Sequence, residues 1–114
     1  MTFSEERVDD VIVLGIGGKI NTEASEDLLS KMTDLIDSGA RHLLLDLSGV
    51  DYINSSGLRV LLTVAKRMTD LNAKIVLANV TELIYQILQV SGCTSHIAVY
   101  PSREEAIKGL KEED

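Results

Sequence analysis

The chain contains one cysteine (Cys93), one proline (Pro101), no tryptophan and only four aromatic residues: Phe3, Tyr52, Tyr85 and Tyr100. A single cysteine excludes an intramolecular disulfide. With so few rings the core must be aliphatic, and an apolar content of 45% is enough to build one. No apolar run is long enough to cross a bilayer and no signal peptide is evident, so a cytoplasmic protein without a membrane role is expected. Basic residues are scarce too: 11 Lys and Arg against 18 Asp and Glu leave a net charge of −7. That argues against nucleic acid, which is held by a basic face, and against an anionic membrane surface. A basic protein partner stays open. Nothing resembles a linker in the 114 residues, so one domain over 1–114 is expected, with a core from about Val8 to Leu110 and a short acidic C-terminal tail.

Hydrophobic periodicity alternates between strand and helix. Val8 opens a strand region through Ile16, with Asp9-Asp10 either inside it or forming a tight turn between two antiparallel strands. Gly17-Gly18 permits a bulge. Asn21-Thr22 are N-cap types, and Ala24, Leu28, Leu29, Met32, Leu35 and Ile36 follow at helical spacing, ending at Ser38-Gly39. Arg41–Leu47 predicts an inner strand, about Ser56 to Asp70 a second helix, and Ala73–Ala78 another inner strand. A third helix starts at Thr81-Glu82, with Leu83, Ile84, Ile87 and Leu88 on one side, and ends near Ser91-Gly92. Cys93 is expected to be a partly buried filler in the loop beyond. Ile97–Tyr100 predicts a short strand, and Ser102 with Glu105 a capping box for the last helix. This order implies an α/β fold with a mixed, largely parallel sheet of four to five strands, antiparallel at its N-terminal end.

Most candidate chemistry falls away. Gly15-Ile16-Gly17-Gly18-Lys19 lacks the phosphate-loop spacing and opens no helix, so it reads as a bulged strand. His42 and His96 have no neighbours at metal-ligand spacing, and Asn54-Ser55-Ser56-Gly57 is not the Gly-x-Ser-x-Gly elbow of hydrolases. No catalytic residue, metal or cofactor is expected, and the chain reads as a non-enzyme. The informative stretch is Asp51-Tyr52-Ile53-Asn54-Ser55-Ser56-Gly57-Leu58-Arg59, where a strand hands over to a helix. Helix starts carry unpartnered N–H groups and favour negative charge. A serine there either caps the helix or carries a phosphate. Asn21-Thr22 open the first helix in the same way. In a right-handed β-α-β unit the two openings lie side by side on one rim. With Leu58 and Arg59 they make a hydroxyl-rich patch suited to docking a protein.

Four segments resemble the stand-alone STAS domains that act as anti-sigma-factor antagonists. They are Gly18-Lys19-Ile20-Asn21; Leu43–Leu47 leading to Val50-Asp51-Tyr52-Ile53; Asn54-Ser55-Ser56-Gly57-Leu58; and Ser91-Gly92. The resemblance runs from about Val8 to Leu110. It implies a STAS-like sheet with about four helices packed mainly on one face. It also implies partner switching: binding of a cognate anti-sigma factor that is a GHKL-type serine kinase, phosphorylation of Ser55, and reversal by a PP2C-type phosphatase. Asn21, Thr22, Asn54, Ser55, Ser56, Gly57, Leu58 and Arg59 map to the docking surface. The free chain is expected to be a monomer. Asn21 and Asn54 stand where the family usually has Asp. The alternative is a STAS scaffold that is never phosphorylated and serves a sensor, a secretion regulator or a transporter.

Overall fold

Residues 1–112 are described by a computed structural model; Glu113 and Asp114, the end of the expected acidic tail, lie outside the described residues. The elements run β1 (Thr2–Val8), β2 (Val11–Ile20), α1 (Thr22–Asp37), β3 (His42–Ile53), α2 (Ser55–Asp70), β4 (Lys74–Ala78), α3 (Glu82–Val90), a 3₁₀ turn at Cys93–Ser95, β5 (Ala98–Tyr100) and α4 (Arg103–Glu112). The five strands form one sheet in chain order. β1 is antiparallel to β2, and every other pairing is parallel.

Strand alternation divides the apolar side chains between two faces. Ile12, Leu14, Leu43, Leu45, Leu47, Ile75 and Leu77 point toward α1, α2 and α3, in the larger core. Val11, Val13, Leu44, Val76 and Ala78 point the other way and are covered by Ala106 and Leu110 of α4. Three helices on one face and one on the other matches the expected arrangement.

Three features differ from the sequence reading. Val8 closes β1 rather than opening a strand, and Asp9-Asp10 form the hairpin turn, with Asp9 at φ 56°. Thr2–Val8 is an exposed edge strand without an apolar face, so no periodicity marks it. The inner strand expected at Arg41–Leu47 continues to Ile53. Two bulges hide the continuation. Gly15 to Gly17 faces Asp46 to Gly49, and Gly18 to Lys19 faces Val50 to Tyr52, so β3 carries an extra residue each time. Leu47, Val50 and Ile53 point inward at a spacing of three instead of two. The glycines of the expected bulge lie opposite these extra residues. Cys93 is fully buried in the 3₁₀ turn rather than a partly exposed loop residue.

α4 is fixed by charge as well as by packing. Asp46, only 4% exposed, accepts from Arg103 Nε at 2.5 Å, from the Ser48 backbone N–H at 2.9 Å and from Asn79 Nδ2 at 3.1 Å. Arg103 also donates to Glu6 at 3.0 Å, and Lys111 pairs with Asp9 in the hairpin turn. Burial alone pushes the Asp46 carboxyl up. The hydrogen bonds from Arg103, Ser48 and Asn79 outweigh it and hold the group below the ordinary carboxylate range. Its stabilisation is therefore complete above that range and lost as pH falls through the depressed folded value. Asp46→Ala leaves Arg103 and Asn79 without their shared acceptor. It is expected to cost about 2 kcal/mol in urea unfolding at neutral pH and to flatten the acid limb of stability against pH.

Candidate functional site

The parallel register of β2 and β3 ends on the pair Ile20 and Ile53, and both chains turn into helices immediately beyond. Asn21 caps α1: its Oδ1 accepts from the Ala24 N–H at 2.9 Å. Asn54 caps α2 in the same way, accepting from the Gly57 N–H at 3.1 Å. The two starts touch, since Asn54 Nδ2 donates to Thr22 Oγ1 at 3.2 Å. The rim expected from chain order is thus formed, with the N-cap role falling to Asn54 and not to either serine. Ser55 is the first residue of α2, exposed, with its hydroxyl uncommitted to the cap. Ser56 is half-buried and Arg59 exposed.

Gly57 has a different task from its neighbours. It is buried, and a Cβ placed there would lie 2.7 Å from Ile20 Cγ2 and 2.8 Å from Ile53 Cγ1. The missing side chain lets α2 descend onto both strand ends, which is what brings Ser55 level with Thr22. Beside the rim, Lys19 pairs with Asp51 at 3.5 Å and lies over the Tyr52 ring, 5.9 Å from its centre.

The apolar part of the site extends beyond Leu58. Leu58 packs partly on the main core, and its outer side joins Leu83, Gln86, Ile87, Val90 and Ser91 around an open groove of about 420 Å³. Leu83, read from the sequence as one side with Ile84, Ile87 and Leu88, separates from it: Ile84 and Leu88 are buried, whereas Leu83 is 59% and Val90 90% exposed. The signal was present. Glu82–Val90 has one charge in nine residues, too few for a helix that hides only part of its apolar surface. Among the described residues no helix is long and apolar enough to cross a membrane, and no group of three His, Cys, Asp or Glu side chains is placed to hold a metal ion.

A family model for the STAS domain matches residues 3–106. The chain belongs to the STAS domain family. This STAS domain is 32% identical over 111 residues to BtrV of Bordetella bronchiseptica, named as a candidate anti-sigma factor antagonist; the match covers 97% of this chain and 96% of that one. A crystal structure of a candidate anti-sigma factor antagonist from Thermotoga maritima superposes with a TM-score of 0.91 at 23% identity, covering 96% and 94% of the two chains. The Bacillus cell-fate determinant SpoIIAA in its phosphorylated form superposes at 0.74 with 22% identity, covering 96% and 99%. These structural likenesses establish the STAS fold.

Gly57→Ala forces a methyl group into occupied space. It is expected to destabilise the domain by about 1–3 kcal/mol in thermal or urea unfolding and to shift the amide resonances of Ile20 and Ile53. Asn54→Ala removes only the cap and its bond to Thr22, at about 1 kcal/mol.

Proposed function

We propose that this STAS domain is an anti-sigma factor antagonist that binds a cognate anti-sigma factor. In this reading the partner is also a GHKL-type serine kinase, phosphorylation of Ser55 releases it, and a PP2C-type phosphatase restores binding. The domain itself is a binding module without catalysis. The observation that carries the proposal is the placement of Ser55: exposed at the first position of α2, next in the chain to the Asn54 that contacts Thr22 and one helical turn before the Leu58 that lines the apolar groove shared with α3. The 32% identity to BtrV supports the partner class. SpoIIAA, which shares the fold, has a phosphorylated form.

The physics of release follows from that placement. A partner lying across the rim buries Leu58, Leu83 and Val90, and their removal from water supplies the attraction, at roughly 25 cal/mol per Å² of apolar surface. A phosphate on Ser55 adds about −1.5 to −2 charges inside the same footprint. Closing the interface over it demands desolvation of a dianion, which apolar burial does not offset. The helix start favours the charged group in the free domain, so modification stabilises the released state and penalises the bound one. Arg59 sits at the edge, where an exposed charge guides approach more than it adds affinity.

Intact mass and phosphopeptide mapping of the chain from its native host are expected to place one phosphate on Ser55, absent from Ser55→Ala. Ser55→Asp should weaken binding to the anti-sigma factor by about 10-fold or more, while Ser55→Ala preserves it. Leu58→Glu and Val90→Glu should each weaken binding comparably, with helix content unchanged by circular dichroism. Binding that is indifferent to charge at position 55 would instead mark a constitutive scaffold.

A further inference from the structure

Asn54 is the side chain through which the two helix starts communicate. Its backbone N–H donates to the Ile20 carbonyl at 3.1 Å and its carbonyl accepts from the Leu58 N–H at 3.1 Å. Its Oδ1 accepts from the Gly57 N–H at 3.1 Å, and its Nδ2 donates to Thr22 Oγ1 at 3.2 Å. The residue preceding Ser55 therefore has hydrogen bonds to β2, to its own helix and to α1. The bond to Thr22 is the longest of the four, lies on the exposed surface and joins two neutral side chains. A neutral bond open to solvent is one that a charged acceptor beside it can outcompete.

A phosphate on Ser55 is such an acceptor. It brings three anionic oxygens to the residue next to Asn54, and a charge-assisted hydrogen bond is roughly twice as strong as a neutral one. The Asn54 amide nitrogen then turns from Thr22 to the phosphate. The Thr22 hydroxyl loses its donor at the first position of α1. Oδ1 and Nδ2 share one planar amide, so the turn also draws Oδ1 away from the Gly57 N–H, and the phosphate at the helix start supplies an acceptor in its place.

We propose that the Asn54–Thr22 hydrogen bond is a switch element, closed while Ser55 is unmodified and opened by negative charge on Ser55, so that modification of α2 is transmitted to the first turn of α1. This rests on Ser55 being the modified residue and adds a second effect to it: the docking surface changes on both helices, so a partner that touches only α1 still senses the state of α2. Thr22 is a positioning residue in this scheme, acting through Asn54.

The test uses the full chain without any partner, so its outcome is separate from whether an anti-sigma factor binds. The resonances to follow by NMR are the Asn54 side-chain amide and the backbone amides of Glu23, Ala24 and Ser25. They are compared in the wild type, Ser55→Glu, Thr22→Val and the double variant, and in the chain carrying phosphoserine at position 55. Charge at position 55 is expected to shift all four sets of resonances, and Thr22→Val to shift them in the same direction. In the Thr22→Val background the effect of Ser55→Glu on α1 should fall to less than about a third, the non-additivity of a shared contact. Thr22→Ser, which keeps the hydroxyl, should restore the full response. An α1 that ignores charge at position 55 overturns the proposal. So does an α1 response that persists undiminished in Thr22→Val, which would be the direct field of the charge.

Discussion

The rim depends on one constraint, the parallel pairing of β2 with β3 carried through to Ile20 and Ile53. Two strands that end level with each other deliver two helices that start level with each other. The closing bond, from the Asn54 N–H to the Ile20 carbonyl at 3.1 Å, extends the pairing one residue past the strand and into the cap of α2. Without that register Thr22 and Ser55 would be unrelated surface hydroxyls more than thirty residues apart in the chain. The two bulges in β3 are the means by which a longer strand is brought level with a shorter neighbour.

The rest of the molecule keeps this end rigid and leaves it uncovered. The main core packs α1, α2 and α3 through fully buried residues such as Leu28, Leu61 and Ile84, so the helices that carry the rim are fixed by aliphatic interlock. α4 is fastened to the opposite face through Arg103 and Asp46, and through Lys111 and the hairpin turn. α1 is tied to the edge strand by Lys31 and Glu5 at 2.9 Å. The strong polar interactions thus lie away from the rim. What remains exposed beside Ser55 is the apolar groove and the neutral amides and hydroxyls of the two helix starts, with Arg59 and the Lys19–Asp51 pair at the margin.

Much of this was legible in the sequence. Fold class, the order of strands and helices along the chain, an antiparallel strand at the N-terminal end and the adjacency of the Asn21 and Asn54 regions follow from alternation of periods and from cap residues. Each difference has a physical origin. β1 has no apolar face, so it emits no pattern. β3 beyond Leu47 has a true pattern with a period of three, which reads as loop until the bulges are known. The cap of α2 falls to Asn54 because its side chain, one residue earlier than the serines, is the one that reaches the Gly57 N–H. The groove on α3 was hidden because an apolar stripe on a helix is assigned to the core by default. Only the geometry separates Ile84 and Leu88, which are buried, from Leu83 and Val90, which are not. The Asp46–Arg103 pair joins residues fifty-seven positions apart, and no local signal announces it.

The absent side chain at Gly57 also constrains how this sequence can change over time. Its empty Cβ position is bounded by Ile20 and Ile53, one from each of the strands that end at the rim. A larger residue at position 57 becomes tolerable only after one of those isoleucines has shrunk, and a shrunken isoleucine leaves a void until position 57 fills it. The three positions therefore form a single unit of inheritance, in which each one-step path passes through a destabilised intermediate. Ser55, exposed and outside this contact, can change while the platform that presents it stays locked.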